Sequence, residues 1–149
     1  MKNQMLVGVA VIIKSHRKKE KWLIVKNSTS DSWEFPKIVV RKTESSVRAV
    51  IRMAGEQGGM RTRVLEEAGR GSSTYVNSGR QIHQKLIYYL MINKGDSGES
   101  IGLENPSWLE YSKAVRKLSS KKEQGILRQA KKIYKEWEKK RKKRSLLEP

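Results

Sequence analysis

Three groups of residues in this sequence have the chemistry to hold something. The first is a charged set: Glu44, Arg48, Arg52 and Glu56 recur every fourth residue. That spacing puts them along one side of a helix, where opposite charges a turn apart stabilise by about 0.2–0.5 kcal/mol per pair. The second is the run Lys139, Lys140, Arg141, Lys142, Lys143 and Arg144, which can neutralise several phosphates without reading sequence, and so with a steep dependence on salt. The third is aromatic. Trp22, Trp108 and Trp137 lie in apolar runs and read as core, whereas Trp33 follows a polar loop and can offer a ring face to a base, worth about 1–3 kcal/mol. Other chemistries have no foothold. The chain has no cysteine and two histidines, His16 and His83, too few for a His-based zinc site. Neither a G-x-x-x-x-G-K-[ST] nor a G-x-G-x-x-G phosphate loop occurs, and no serine sits in G-x-S-x-G.

The elements that must position these groups follow from periodicity. Met5–Lys14 and Lys21–Lys26 are Val- and Ile-rich runs around a charged turn and predict two strands of a hairpin. A polar loop, Asn27–Ser32, leads to Trp33-Glu34-Phe35-Pro36-Lys37 and the short apolar stretch Ile38-Val39-Val40. Glu44–Gln57 predicts a helix with Val47, Val50, Ile51 and Ala54 on its inner face, a cap near Thr43 and a stop at Gly58-Gly59. Arg61–Ala68 predicts a strand, Gly69–Ser73 a loop, Gln84–Ile92 a long strand, with His83 half-buried at its start, and Lys94–Ser100 a loop. A short strand at Pro106–Leu109 and a short helix at Ser112–Leu118 follow. Ser120–Arg144 then predicts a long helix that starts with a Ser120/Glu123 capping box and docks through Ile126, Ala130, Ile133, Tyr134 and Trp137. Beyond Trp137 the apolar stripe stops, so the basic end is expected to project or fray. The expected organisation is one domain, 1–138, and a basic tail, 139–149.

Composition bounds the partners. With 149 residues the chain is one domain's worth, and 36% apolar against 32% charged residues describes a small core under a heavily charged surface. The net charge of +18 points to a polyanion such as RNA or DNA before a membrane. No apolar run approaches the roughly 20 residues of a membrane span. The missing cysteines agree with a cytoplasmic setting, which is the expectation here.

In that order of elements, Trp33–Met60 resembles the Nudix box, G-x5-E-x7-R-E-U-x-E-E-x-G-U with U a bulky aliphatic. Glu44 falls on the first Glu, Arg52 on the Arg, Glu56 on the first Glu of the pair, Gly59 on the closing Gly and Met60 on the last U. The W-x-F-P-K lead-in is similar too, and the order of elements extends the resemblance over nearly the whole chain. The resemblance implies an α/β (α+β) Nudix-type α/β/α sandwich with a mixed sheet, here followed by a long basic C-terminal helix. It implies hydrolysis of a nucleoside diphosphate-linked substrate with Mg²⁺ or Mn²⁺ held by helix carboxylates. It places Trp33 and Lys37 at the substrate cleft.

The departures fall on the ligands. Ile38 stands where the family has its first Gly, Met53 where it has the Glu after Arg, and Gln57 where it has the last Glu. Magnesium takes hard oxygen ligands, and a thioether or a neutral amide is a poor substitute. Glu56 and Glu44 remain as metal candidates, with Glu104 as a weak loop acid, Glu99 beside it and Glu66-Glu67 weaker still. Two functions follow. One is a non-hydrolytic module that binds a nucleotide or RNA, needing no metal. The other is a metal-dependent hydrolase, of dinucleoside polyphosphate or RNA 5′-end type, working through Glu44, Arg52 and Glu56 in a variant site.

Overall fold

A computed structural model describes residues 4–147. The fold grows outward from strand β1 (Gln4–His16), whose residues Val7–Ile13 are all buried. Side chains alternate across a strand. Val7, Val9, Val11 and Ile13 therefore feed one core, and Ala10 and Ile12 feed another on the opposite face. A strand buried on both faces reads as an unbroken apolar run and needs a covering layer on each side. Helix α1 (Ser46–Glu56) covers the second face through Val50, Met53 and Ala54. Helices α2 (Tyr111–Lys117) and α3 (Lys121–Leu147) cover the first, through Ala114, Ile126, Leu127, Ala130 and Tyr134. The result is the expected α/β/α sandwich.

The sheet is mixed and seven-stranded, with β3-β2-β1-β6-β5 as its main order. Here β2 is Lys19–Asn27, β3 Ser32–Glu34, β4 Lys37–Val39, β5 Met60–Asn77, β6 Arg80–Asp96 and β7 Pro106–Leu109. β6 runs parallel to β1 along its length. On its other edge β1 changes partner: Val7–Val9 pair with β4, and Ile13–His16 pair with β2 in the expected hairpin. β7 adds to β2. This switch sets Trp33–Lys37 as a crossing between β3 and β4.

Several boundaries differ from the sequence reading. β5 has no loop at Gly69–Ser73. It continues to Asn77 and pairs with β6 across a Ser78-Gly79 turn whose two residues both have positive φ, the turn geometry that matches strand twist. Register shifts near Arg61, Glu66 and Ala68 absorb the irregular sequence, and the Gly/Ser run looks loop-like only because its side chains pack little. His83 is exposed on this arm, with Nδ1 3.0 Å from Thr74 Oγ1. α1 begins at Ser46, one residue after its cap, Ser45, whose hydroxyl accepts from Arg48 N at 3.1 Å. Its inner face is also rotated: Met53 is 1% exposed and Ile51 42%. At α3, Ser120 caps Glu123 N at 3.2 Å, but the Glu123 carboxylate turns into the protein instead of completing the box. The helix continues unbroken through the basic run to Leu147, with Lys139–Leu146 exposed. Residues 148 and 149 of the expected tail lie outside the described residues.

Gly8 faces α1. A Cβ there would stand 2.9 Å from Val50 Cγ1 and 3.3 Å from Ser46 O. Gly8→Val should therefore destabilise the fold by about 1–3 kcal/mol through overpacking. Urea unfolding with an unchanged m-value would measure this.

Candidate functional site

The box residues are built around a turn. Glu44 N donates to Arg41 O at 3.0 Å, and Arg41 N donates to Glu44 Oε1 at 3.2 Å. This brings the carboxylate over α1, where Arg52 grips it with Nε at 2.7 Å and an Nη at 2.9 Å. A two-pronged guanidinium–carboxylate pair is among the stronger polar contacts. The Arg52 hydrogen bonds hold the Glu44 carboxyl down at about 2, against a smaller opposing effect of desolvation. Arg52 is raised in turn, chiefly by Glu44 and more weakly by Glu56. The pair clasps the loop before α1 to the helix. Ser46 Oγ, 2.6 Å from Tyr89 Oη, fastens the same helix end to β6.

The other box positions do not converge on this clasp. Met53 points into the core beneath α1. Gln57 caps the helix and lies against the loop after β6: its carbonyl accepts from Gly102 N at 3.1 Å, and Gly102 has no room for a Cβ, which would come within 2.8 Å of the Gln57 side chain. Glu56 is exposed. Glu104 accepts from Ser28 N at 3.1 Å and from the Ser28 hydroxyl, so it closes the β2–β3 loop. Glu99 is exposed, and Glu67 is engaged by Arg70 at 2.9–3.0 Å. Ile38 pairs with Gly8 across β1–β4 and packs partly under α1, filling the side where the box has glycine. Among the described residues, no three His, Asp or Glu side chains gather as a metal site would require. The donor set near the box is one free carboxylate, one carboxylate already held by an arginine, and an amide. A divalent cation would find one free carboxylate there, and a second only if Glu44 left Arg52.

A large cleft lies on the opposite side of the sheet. Its volume is about 1090 Å³, and Trp33, Glu34, Lys37, Arg70, Tyr88 and Lys122 are among its walls. Two backbone links to Ser119 hold Trp33: Trp33 N donates to Ser119 Oγ at 2.8 Å, and Ser119 N to Trp33 O at 3.0 Å. Lys117 Nζ stands 4.7 Å from the centre of the Trp33 ring. Beneath lies a polar knot. Glu123, with its side chain 5% exposed, accepts from Phe35 N at 3.2 Å, Tyr88 Oη at 2.9 Å and Lys37 Nζ at 2.8 Å. Lys37 Nζ also donates to Glu34 Oε2 at 3.0 Å and Phe35 O at 3.3 Å. An ammonium has three protons, so Lys37 lines the cleft with its donors already spent on the protein. Burial, then the adjacent Glu123, drives the Tyr88 phenol far above its ordinary value, leaving it a proton donor.

Sequence reasoning did not find Glu123 as a site residue. Its spacing from Ser120 marks a helix cap, and nothing local says that its carboxylate meets strands eighty-odd residues away. It also missed Tyr88, Arg70 and Lys122, which read as ordinary strand, loop and helix residues. Trp33 and Lys37 share the cleft, whereas Glu44, Arg52 and Glu56 sit with α1. The basic run forms the exposed end of α3.

No family model matches the sequence. Solved structures do. An Ap4A hydrolase of C. elegans in a binary complex superimposes with a TM-score of 0.66 at 20% identity, over 87% of this chain and 97% of that one. The NUDIX domain of Shewanella oneidensis NrtR, in complex with ADP ribose, gives 0.61 at 17% identity over 89% of each chain. The E. coli dihydroneopterin triphosphate pyrophosphohydrolase gives 0.58 at 12% identity, over 83% and 92%. The protein has the Nudix fold. In sequence it is 30% identical over 91 residues to a Mycobacterium tuberculosis protein named as a mutator protein, MutT4; the match takes in 60% of this chain and 35% of that protein. The chain thus matches about a third of that curated relative's length.

Two consequences are measurable. Because the Glu44 carboxyl is held lower in the folded state than in the unfolded chain, its contribution to stability is complete above the unfolded value near 4.5 and is lost as pH falls toward about 2. Thermal unfolding followed across that window should show a steeper loss in the natural protein than in Glu44→Gln. Glu123→Ala should cost about 2–4 kcal/mol by leaving two buried donors, Phe35 N and the Tyr88 hydroxyl, unpaired, read from denaturant midpoints.

Proposed function

We propose that this protein binds a nucleotide, or the end of an RNA, without hydrolysing it. The observation that carries this reading is the separation of the two halves of the site. The cleft with the Trp33 ring is intact, while the box retains a single uncommitted carboxylate, Glu56. Phosphoanhydride hydrolysis of the kind the fold supports elsewhere would need charge neutralisation and an activated water at one point. Met53 in the core and Gln57 against Gly102 contribute no charge to that point. Binding asks less of the site. A cleft of this volume is large enough for a nucleotide, Trp33 offers a stacking surface, and Lys85 and Lys122 bring positive charge to its walls. The Lys139–Arg144 end adds a sequence-blind phosphate contact in the case of RNA. No helix among the described residues is long and apolar enough to cross a membrane, and a cytoplasmic setting, in keeping with the missing cysteines, belongs to the same reading.

The second reading, a metal-dependent hydrolase, is favoured by one observation: the Ap4A hydrolase and the pyrophosphohydrolase are hydrolytic by name and share the fold. In that case Glu56, with Glu44 released from Arg52, would be the residues to hold Mg²⁺ or Mn²⁺.

Calorimetry with ATP, ADP-ribose and Ap4A, alongside chromatographic assay of the same mixtures in Mg²⁺ and in Mn²⁺, separates the two. The expected result is saturable binding without product, weakened roughly 5- to 150-fold in Trp33→Ala by loss of about 1–3 kcal/mol of stacking. Product formation that vanishes in Glu56→Gln would refute the binding-only reading.

A further inference from the structure

The sequence draws attention to six consecutive cations at the end of α3, but the fold arranges positive charge along the whole helix. Lys121, Arg128, Lys132, Lys135, Lys139 and Lys142 follow one another at intervals of seven, four, three, four and three residues, which keeps them in one line on a helix. All six are exposed. Ile126, Leu127, Ala130 and Tyr134, on the other side of the helix, bury its docked face against the sheet, so the line points directly away from the body of the protein. Carboxylates are kept off it. Glu123 faces the core, and Glu136 and Glu138 lie about 80° round the helix to either side of the line, at 100° per residue. Among the described residues, none of the six cations is in an ion pair. Other cations of the helix are occupied: Lys131 lies 3.9 Å over the Tyr111 ring and Arg141 5.1 Å over Trp137.

The line also has a defined beginning. Ser119, Ser120 and Lys122 form one wall of the Trp33 cleft, and Lys121 is the next residue. The ridge therefore starts at the mouth of the cleft and runs about 32 Å from it, at 1.5 Å per residue.

We infer that α3 is a track for a single-stranded nucleic acid whose terminal nucleotide sits in the cleft and whose following phosphates lie along the ridge. A run of unpaired cations with no base-reading groups between them matches a sugar–phosphate backbone and does not read sequence. A terminal base stacked on Trp33 must be unpaired, which selects a single strand over a duplex. The terminal part of this inference rests on the cleft binding a nucleotide; the ridge stands on its own charge pattern.

Fluorescence anisotropy with 3′-labelled oligoribonucleotides of about two, five and ten nucleotides, a ten-base-pair duplex, and phosphatidylserine vesicles tests both parts. Affinity should rise from two to ten nucleotides. The combined variant R128Q/K132Q/K135Q, at exposed positions where glutamine is a comparable helix former, should bind the longest strand at least tenfold more weakly. Its log–log salt slope should fall by about 2, at roughly 0.7 per lost phosphate contact, while binding of ATP stays as in the natural protein. The slope of the natural protein toward the ten-mer, which needs no variant, should exceed its slope toward ATP. An affinity independent of length, a triple variant that binds like the natural protein, or tighter binding of duplex or vesicles than of the single strand would each overturn the track. If Trp33→Ala leaves every affinity unchanged while the triple variant weakens the long strand, the ridge stands and the cleft reading fails.

Discussion

Strand β1 is apolar on both faces, and the rest of the molecule is arranged to keep water from it. Covering Val9, Val11 and Ile13 brings α3 to one side of the sheet, and covering Ala10 and Ile12 brings α1 to the other. The closeness of α1 depends on Gly8, which leaves no atom between the strand and Val50. That same placement puts the Glu44–Arg52 pair on one face of the sheet and the Trp33 cleft on the other. The separation of the two candidate sites is thus a consequence of how the core is closed.

Each site is stabilised by a carboxylate that is fully engaged in the fold. Glu44 is clamped by both prongs of Arg52 and by the turn it belongs to. Glu123 satisfies a backbone amide, a phenol and an ammonium at once. A buried carboxylate is tolerated only when its oxygens are well paired, and the two pairings give the loops before α1 and around Phe35 fixed shapes. The charge left over is overwhelmingly positive and lies outside, much of it on α3. A surface of this charge raises the local concentration of anions around it.

Much of the molecule is legible in the residue string. Periodicity places β1, β2, β6, β7, α1, α2 and α3 within a few residues, because a half-buried or fully buried face forces a repeat of two or 3.6. The W-x-F-P-K segment and the Glu44–Arg52–Glu56 spacing suffice to suggest the fold. The +18 charge and the Lys139–Arg144 run are plain from composition. Where the sequence misleads, short-range signals compete with distant pairing. The Gly/Ser run of β5 reads as a loop and is held as a strand by β6, and Ile51 reads as core while Met53, about 200° further round the helix, is what the sheet covers.

Residue types and spacing by themselves determined which charges exist, which residues stand at the box positions and which helices carry an apolar stripe, since these depend only on neighbours along the chain. Tertiary structure decided which of those charges remain available. Contacts between Glu123 and Lys37, Ser28 and Glu104, or Gln57 and Gly102 join segments far apart in the chain. Whether a polar group is spent or free is settled by what the folded core brings beside it, which is information no local pattern holds.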